Sequence, residues 1–167
     1  VLAAVNMVAL IEVVIKWAGA DAWTAGDGTL ALTQAPFTVT LAKAEATNAP
    51  IINGKSNDAR VYAKGTVNVV TKGENMTQIV FGLSAQGVKR LTKITASVGE
   101  VVESADAKTV TWTGAAKDVT FTVGEKADLG SDGAAKAGQL CFANITVDAG
   151  GTETPSPEPN PAPRPQP

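Results

Sequence analysis

Apolar side chains fall on every second position along most of this chain. PFTVTLA sets Phe37, Val39 and Leu41 between threonines, TVNVV pairs Val67 with Val69, and MTQIVFGL aligns Ile79, Phe81 and Leu83. TVTWT repeats the pattern with Val110 and Trp112, DVTFTV with Val119, Phe121 and Val123, and CFANITV with Ala143, Ile145 and Val147. A period of two is the repeat of a pleated strand with one buried face. β-Branched residues and threonine suit that surface. Turn-forming residues separate the runs: Gly65 follows Lys64, Lys72-Gly73-Glu74-Asn75 makes a polar break, and Gly114 to Lys117 links two runs at hairpin distance. Only the first eleven residues and Leu83–Arg90 could be helical, too little for the crossovers of a parallel sheet. The pattern predicts an all-β chain: an antiparallel two-sheet β-sandwich, jelly-roll-like, of about eight to ten strands.

The two ends differ from this middle. VLAAVNMVALI is uncharged and too short to span a bilayer, which takes about 20 apolar residues. It has two readings. It could be the remnant of a secretion signal, with small-residue cleavage patterns around Ala18 to Ala22. Alternatively IEVVIKW is the first strand, since Val13, Ile15 and Trp17 alternate with Glu12, Val14 and Lys16. The strand reading is preferred, because signals rarely tolerate charges such as Glu12 and Lys16 between the apolar run and the cut. At the other end, seven of nine prolines lie in Pro155–Pro167, one at every second position. Proline fixes φ and lacks an amide hydrogen, so this tail favours an extended polyproline II spacer. The division is residues 1–22 as the apolar segment, 23–149 as the sandwich and 150–167 as a Pro-rich linker, with a further domain of the same polypeptide expected beyond Pro167.

Composition narrows the chemistry. The 167 residues suit one domain, and 44% apolar with 18% charged residues is a globular balance. A net charge of -2 gives no basic field for nucleic acid. The absence of histidine removes Ser-His and Cys-His nucleophile pairs and imidazole zinc sites. Cys141 is the only cysteine, so no internal disulfide forms, and its strand-like context reads as a buried small hydrophobe.

Four segments carry a resemblance. TNAPIINGKSNDARVYAKGTVNVV, MTQIVFGLSAQGVKRLTKITASVGEV, KTVTWTGAAKDVTFTVGEK and AGQLCFANITVDAG occur in this order. Together they resemble an accessory β-sandwich domain recurrent in secreted and surface proteins of Gram-negative gut bacteria, often linked to nucleases, glycan-degrading proteins or lipoproteins. The likeness spans roughly residues 35 to 149 and includes an Arg-x-Tyr element and a Trp-Thr-Gly hairpin. Members open on an alternating Phe/Thr strand, where this chain has IEVVIKWAGADAWTAGDG. The resemblance implies a secreted or outer-surface, non-catalytic module, carbohydrate-binding or adhesive, and carries across no catalytic residues.

Candidate sites remain few. Asp58, Arg60 and Tyr62 alternate, so on a strand they share one face. As a ligand site, Tyr62 would be a platform for a sugar ring and Asp58 and Arg60 would bond its hydroxyls. As structure, Tyr62 is half-buried and Arg60 pairs with Asp58; this reading is favoured. Trp23, in the Gly-rich DAWTAGDG, is the better stacking candidate, whereas Trp112 reads as core. Asp128 and Asp132 in DLGSDG are weak calcium candidates beside the simpler reading of solvated turns, and no other cofactor is suggested. The pairs Glu100/Glu103 and Asp106/Asp118 stand in no distinctive motif, so the chain is not read as an enzyme. The expected function is a secreted or cell-surface accessory module that binds a glycan or cell-surface polymer and hangs from a larger protein on its Pro-rich spacer. The alternative is a subunit of a surface fibre or pilus-like assembly that packs or donates its apolar N-terminal strand.

Overall fold

The computed structural model describes residues 7–152; the start of the apolar segment and the proline tail lie outside them. Thirteen strands, one five-residue helix and one short 3-10 turn make up this part, and the strands form two antiparallel sheets packed face to face. One sheet holds β1 (Met7–Ile15), β5 (Ile51–Ile52), β6 (Ala59–Tyr62), β8 (Met76–Leu83), β10 (Glu100–Ser104), β11 (Thr109–Ala116) and β13 (Gln139–Thr152). The other holds β2 (Thr24–Gly26), β3 (Thr29–Gln34), β4 (Phe37–Ala42), β7 (Thr66–Thr71), β9 (Ile94–Ala96) and β12 (Asp118–Val123). The chain changes sheet at most of its connections, the winding habit of Greek-key sandwiches.

The all-β, two-sheet expectation is met, and the excess of strands over the expected number has a plain cause. β2, β5 and β9 are two or three residues long and sit at sheet edges. Such strands are too short to show a period. Long alternating runs became strands as read: β4 and β12 bury Phe37, Val39, Leu41, Val119, Phe121 and Val123. Between the sheets, the Phe81 ring meets Phe121 edge-on at 5.0 Å and Phe142 at 5.0 Å. Such pairs add about 0.5–1.5 kcal/mol beyond the area they bury. Trp112 is fully enclosed as expected, its Nε1 donating to the Val98 carbonyl at 2.5 Å. Gly99 and Gly114 lie against its indole so closely that a Cβ on either would collide with the ring.

β13 is the spine of its sheet. One side pairs with β8; the other takes β6 along Gln139–Phe142 and β1 along Ile145–Thr152. Val13, Ile15 and Trp17 turn inward, Ile15 fully, while Glu12, Val14 and Lys16 stay exposed.

Three expectations are corrected. Ala143 does not face the core. The β13–β8 register shifts between Phe142 and Asn144, so Phe142 takes the inward place and the alternation resumes one residue out of phase at Ile145. Gly114 to Lys117 do not close a hairpin either. β11 pairs with β8 and β10, β12 pairs with β7 and β9, and the chain crosses from one sheet to the other at Lys117. Residues 150–152 belong to β13, not to the linker: the strand continues through Gly150 and Gly151, both at positive φ, to Thr152.

Candidate functional site

Asp58 sits just before β6 and is 1% exposed. A buried carboxylate needs partners for its oxygens, and four contacts supply them. Ser56 Oγ donates to Oδ1 at 2.6 Å, Ser84 Oγ to Oδ2 at 2.6 Å, and Arg60 Nε reaches both oxygens at 3.2 and 3.3 Å. Ser84 does double duty. It is the N-cap of the helix α1 (Ala85–Lys89), its Oγ also accepting from Gly87 N at 3.2 Å. One carboxylate thus ties the start of β6 to the helix cap beside β13. A serine immediately ahead of a short helical stretch is the sequence signal that could have found this partner.

Arg60 and Tyr62 share the half-buried face of β6, opposite Ala59 and Val61. Asp58, Arg60 and Tyr62 are therefore neighbours, but Asp58 is spent on internal partners and not presented to solvent. Across the strand pair from Arg60 lies Cys141, fully buried. Burial pushes its thiol up to about 12, with the charge of Asp58 adding to the effect.

Trp23 is not the exposed stacking platform expected of a Gly-rich loop. The 3-10 turn Ala20–Ala22 swings it inward to 6% exposure, and its ring meets Trp17 edge-on at 5.0 Å. Trp17 in turn meets Phe142 at 5.9 Å. The calcium candidates do not converge either. The Asp132 carboxylate is engaged by Arg90 Nε, Asp128 lies exposed, and no three acidic or cysteine side chains are grouped for a metal among the described residues. Glu103 accepts from Ile94 N at 2.6 Å and Asp118 from Asn68 Nδ2 at 2.7 Å, so both are in structural use.

Two residues past Tyr62 the chain opens onto solvent. Tyr62-Ala63-Lys64-Gly65 is a tight turn closed by Gly65 N donating to Tyr62 O at 2.8 Å. Lys64 holds φ at +74°, the left-handed region that favours glycine. Adjacent Gly65 is required, because a Cβ there would come within 2.8 Å of Val61 Cγ1 and 2.9 Å of the Tyr62 carbonyl. Main-chain bonds fix the turn to its neighbours: Lys64 N to Val123 O at 2.9 Å, Val123 N to Gly65 O at 3.0 Å, and Glu45 N to Lys64 O at 3.3 Å. Around it lies an open cleft of about 390 Å³, lined by Glu45, Lys64, Thr122, Val123, Gly124 and Glu125. Lys64 Nζ stands 3.7 Å from Glu125 Oε1, with both side chains more than half exposed. In the sequence Lys64 reads only as part of a turn, because a lone lysine carries no pattern that would join it to Glu45 or Glu125.

No helix among the described residues is long and apolar enough to cross a membrane. Compared with protein families, curated proteins and solved structures, the chain matches none of them.

Proposed function

We propose that this chain is a non-catalytic accessory module of a secreted or cell-surface protein, and that it holds carbohydrate in the cleft at Lys64. The observation that carries the reading is Lys64 itself. A lysine in left-handed backbone costs about 1 kcal/mol that glycine would not incur. Ala44, Asn57 and Lys108 also hold positive φ, but of these four Lys64 alone lines the cleft. There backbone strain can serve function by setting an ammonium donor beside the Glu125 carboxylate with Glu45 also in the wall. Sugar hydroxyls both donate and accept, so a cation beside carboxylates on an open concave surface suits them. The residues expected at the site shift accordingly. Arg60 and Tyr62, on the strand leading into this turn, remain candidates for its margin, while Asp58 and Trp23 act as support. The proline-rich tail would serve as the spacer to a further domain, in line with the resemblance to accessory sandwiches of gut-bacterial surface proteins.

Retention on a glycan array and on insoluble polysaccharides tests the proposal. The native chain should be retained on at least one carbohydrate, and Lys64→Ala should lose that retention while keeping its circular dichroism spectrum. Absence of retention on every carbohydrate would sink it.

A further inference from the structure

Among the described strands, β1 pairs only with β13, which leaves its far edge open. The Val14 carbonyl takes an exposed side-chain bond from Gln34 Nε2 at 3.3 Å, so it points away from β13. In an antiparallel ladder a residue's N–H and C=O point the same way, and residues two apart repeat that direction. The main-chain groups of Glu12 and Val14 therefore lie on the open edge. On the outer face beside them, Leu10 is 61% and Val14 44% exposed, and Glu12 and Lys16 are exposed as well. An apolar edge left bare in this way is a template for another strand.

The charges on that face say which strand. Glu12 stands directly across from Asp148 of β13, and Asp148 Oδ1 is buried without a hydrogen-bond partner. No ion pair among the described residues includes either carboxylate or Lys16. Like charges opposite one another weaken a strand pair, so this corner lacks a cation.

We propose that β1 pairs antiparallel with β1 of a second copy about a two-fold axis at Val14, joining two sheets into one. In that register Val14 faces the partner's Val14, Glu12 faces the partner's Lys16, and Lys16 faces the partner's Glu12. The partner's Lys16 brings the missing ammonium beside Glu12 and Asp148. Sliding the register by one step of like-facing residues sets Glu12 against the partner's Val14, and a further step sets it against the partner's Glu12. Only the first arrangement satisfies the charges, and an interface of this kind is its own complement, as a two-fold dimer requires. The exposed Gln34 contact gives way to main-chain bonds. β1 stays on its own β13, held by Ile15 in the core and by Trp17 Nε1 donating to the Asn57 carbonyl. The pairing uses no residue of the Lys64 cleft and stands apart from the carbohydrate proposal.

Sedimentation equilibrium up to millimolar concentration reads the prediction. The native chain should show a reversible monomer–dimer equilibrium that weakens as salt is raised. Glu12→Lys and Lys16→Glu should each weaken it about tenfold, and the double reversal should restore it. A chain that stays monomeric overturns the proposal. So does a dimer or polymer indifferent to salt and to the single reversals, which is how assembly by a donated strand would behave, and so does failure of the double reversal to recover association.

Discussion

Asp58 and Lys64 lie six positions apart at either end of one short strand, and they are opposites. Asp58 is enclosed, with both oxygens bonded by Ser56, Ser84 and Arg60. Lys64 is open and strained at φ +74°, and among the described residues its ammonium has one ion-pair partner, an exposed carboxylate 3.7 Å away. The first is polar chemistry used up in holding the fold. The second is polar chemistry held out at some cost to the fold. The comparison teaches that a charged row on a strand says little about binding until the partners of each group are known.

The largest break in that contrast should come from Asp58→Ala. It strands Arg60 and two hydroxyls at a site that is 1% exposed, and removing one partner of such a network costs about 3 kcal/mol. Urea denaturation should show that loss, with Tm lower by roughly 10 °C. Alkaline pH should act next. The Cys141 thiol is held up from 9.0 to about 12 by burial first and Asp58 second. The folded state therefore keeps a proton that the unfolded state gives up above about pH 9. This contribution is intact below that pH and is lost as pH rises from 9 toward 12, by an amount on the order of 2 kcal/mol at about pH 10.5. Cys141→Ala should flatten that slope, and the native thiol should resist alkylation at pH 8.

Ser84→Ala sharpens the comparison further. It removes the helix cap and one Asp58 bond together, for about 1–2 kcal/mol. At the open end the sign should reverse. Lys64→Gly relieves the left-handed strain and should gain about 0.5 kcal/mol in urea denaturation, while retention on carbohydrate is lost. A stability loss there would mean that Lys64 supports the fold. Smallest of all, Glu125→Ala should change stability by less than about 0.5 kcal/mol, since an exposed pair contributes little, yet it should weaken carbohydrate retention.

Much of this fold was legible because long strands with one buried face must alternate. β4, β7 and β12 did so without interruption, and β8 did so from Ile79 to Leu83. Legibility failed where geometry outside the strand intervened. The register shift in β13 moved Ala143 outward, and the change of sheet at Lys117 separated two runs that look like a hairpin. Trp23 was misplaced for a different reason. Gly-rich sequence suggests an open loop, but the 3-10 turn before it aims the ring at Trp17. At the site, the Asp58 row was visible as alternation and the Arg60 pairing followed from chemistry. Its Ser84 partner lies 26 residues away, and only folding joins them. The Lys64 cleft was invisible for the same reason, since Glu45, Lys64 and Glu125 come from three separate stretches.

The pairing of Met7 with Thr152 places both ends of the described chain side by side at one tip of an antiparallel pair. Tension applied between those ends would not shear β1 along β13 but peel it away, breaking bonds one after another. Each bond is worth only about 1 kcal/mol net, so a body pulled from this tip opens like a zip under small force.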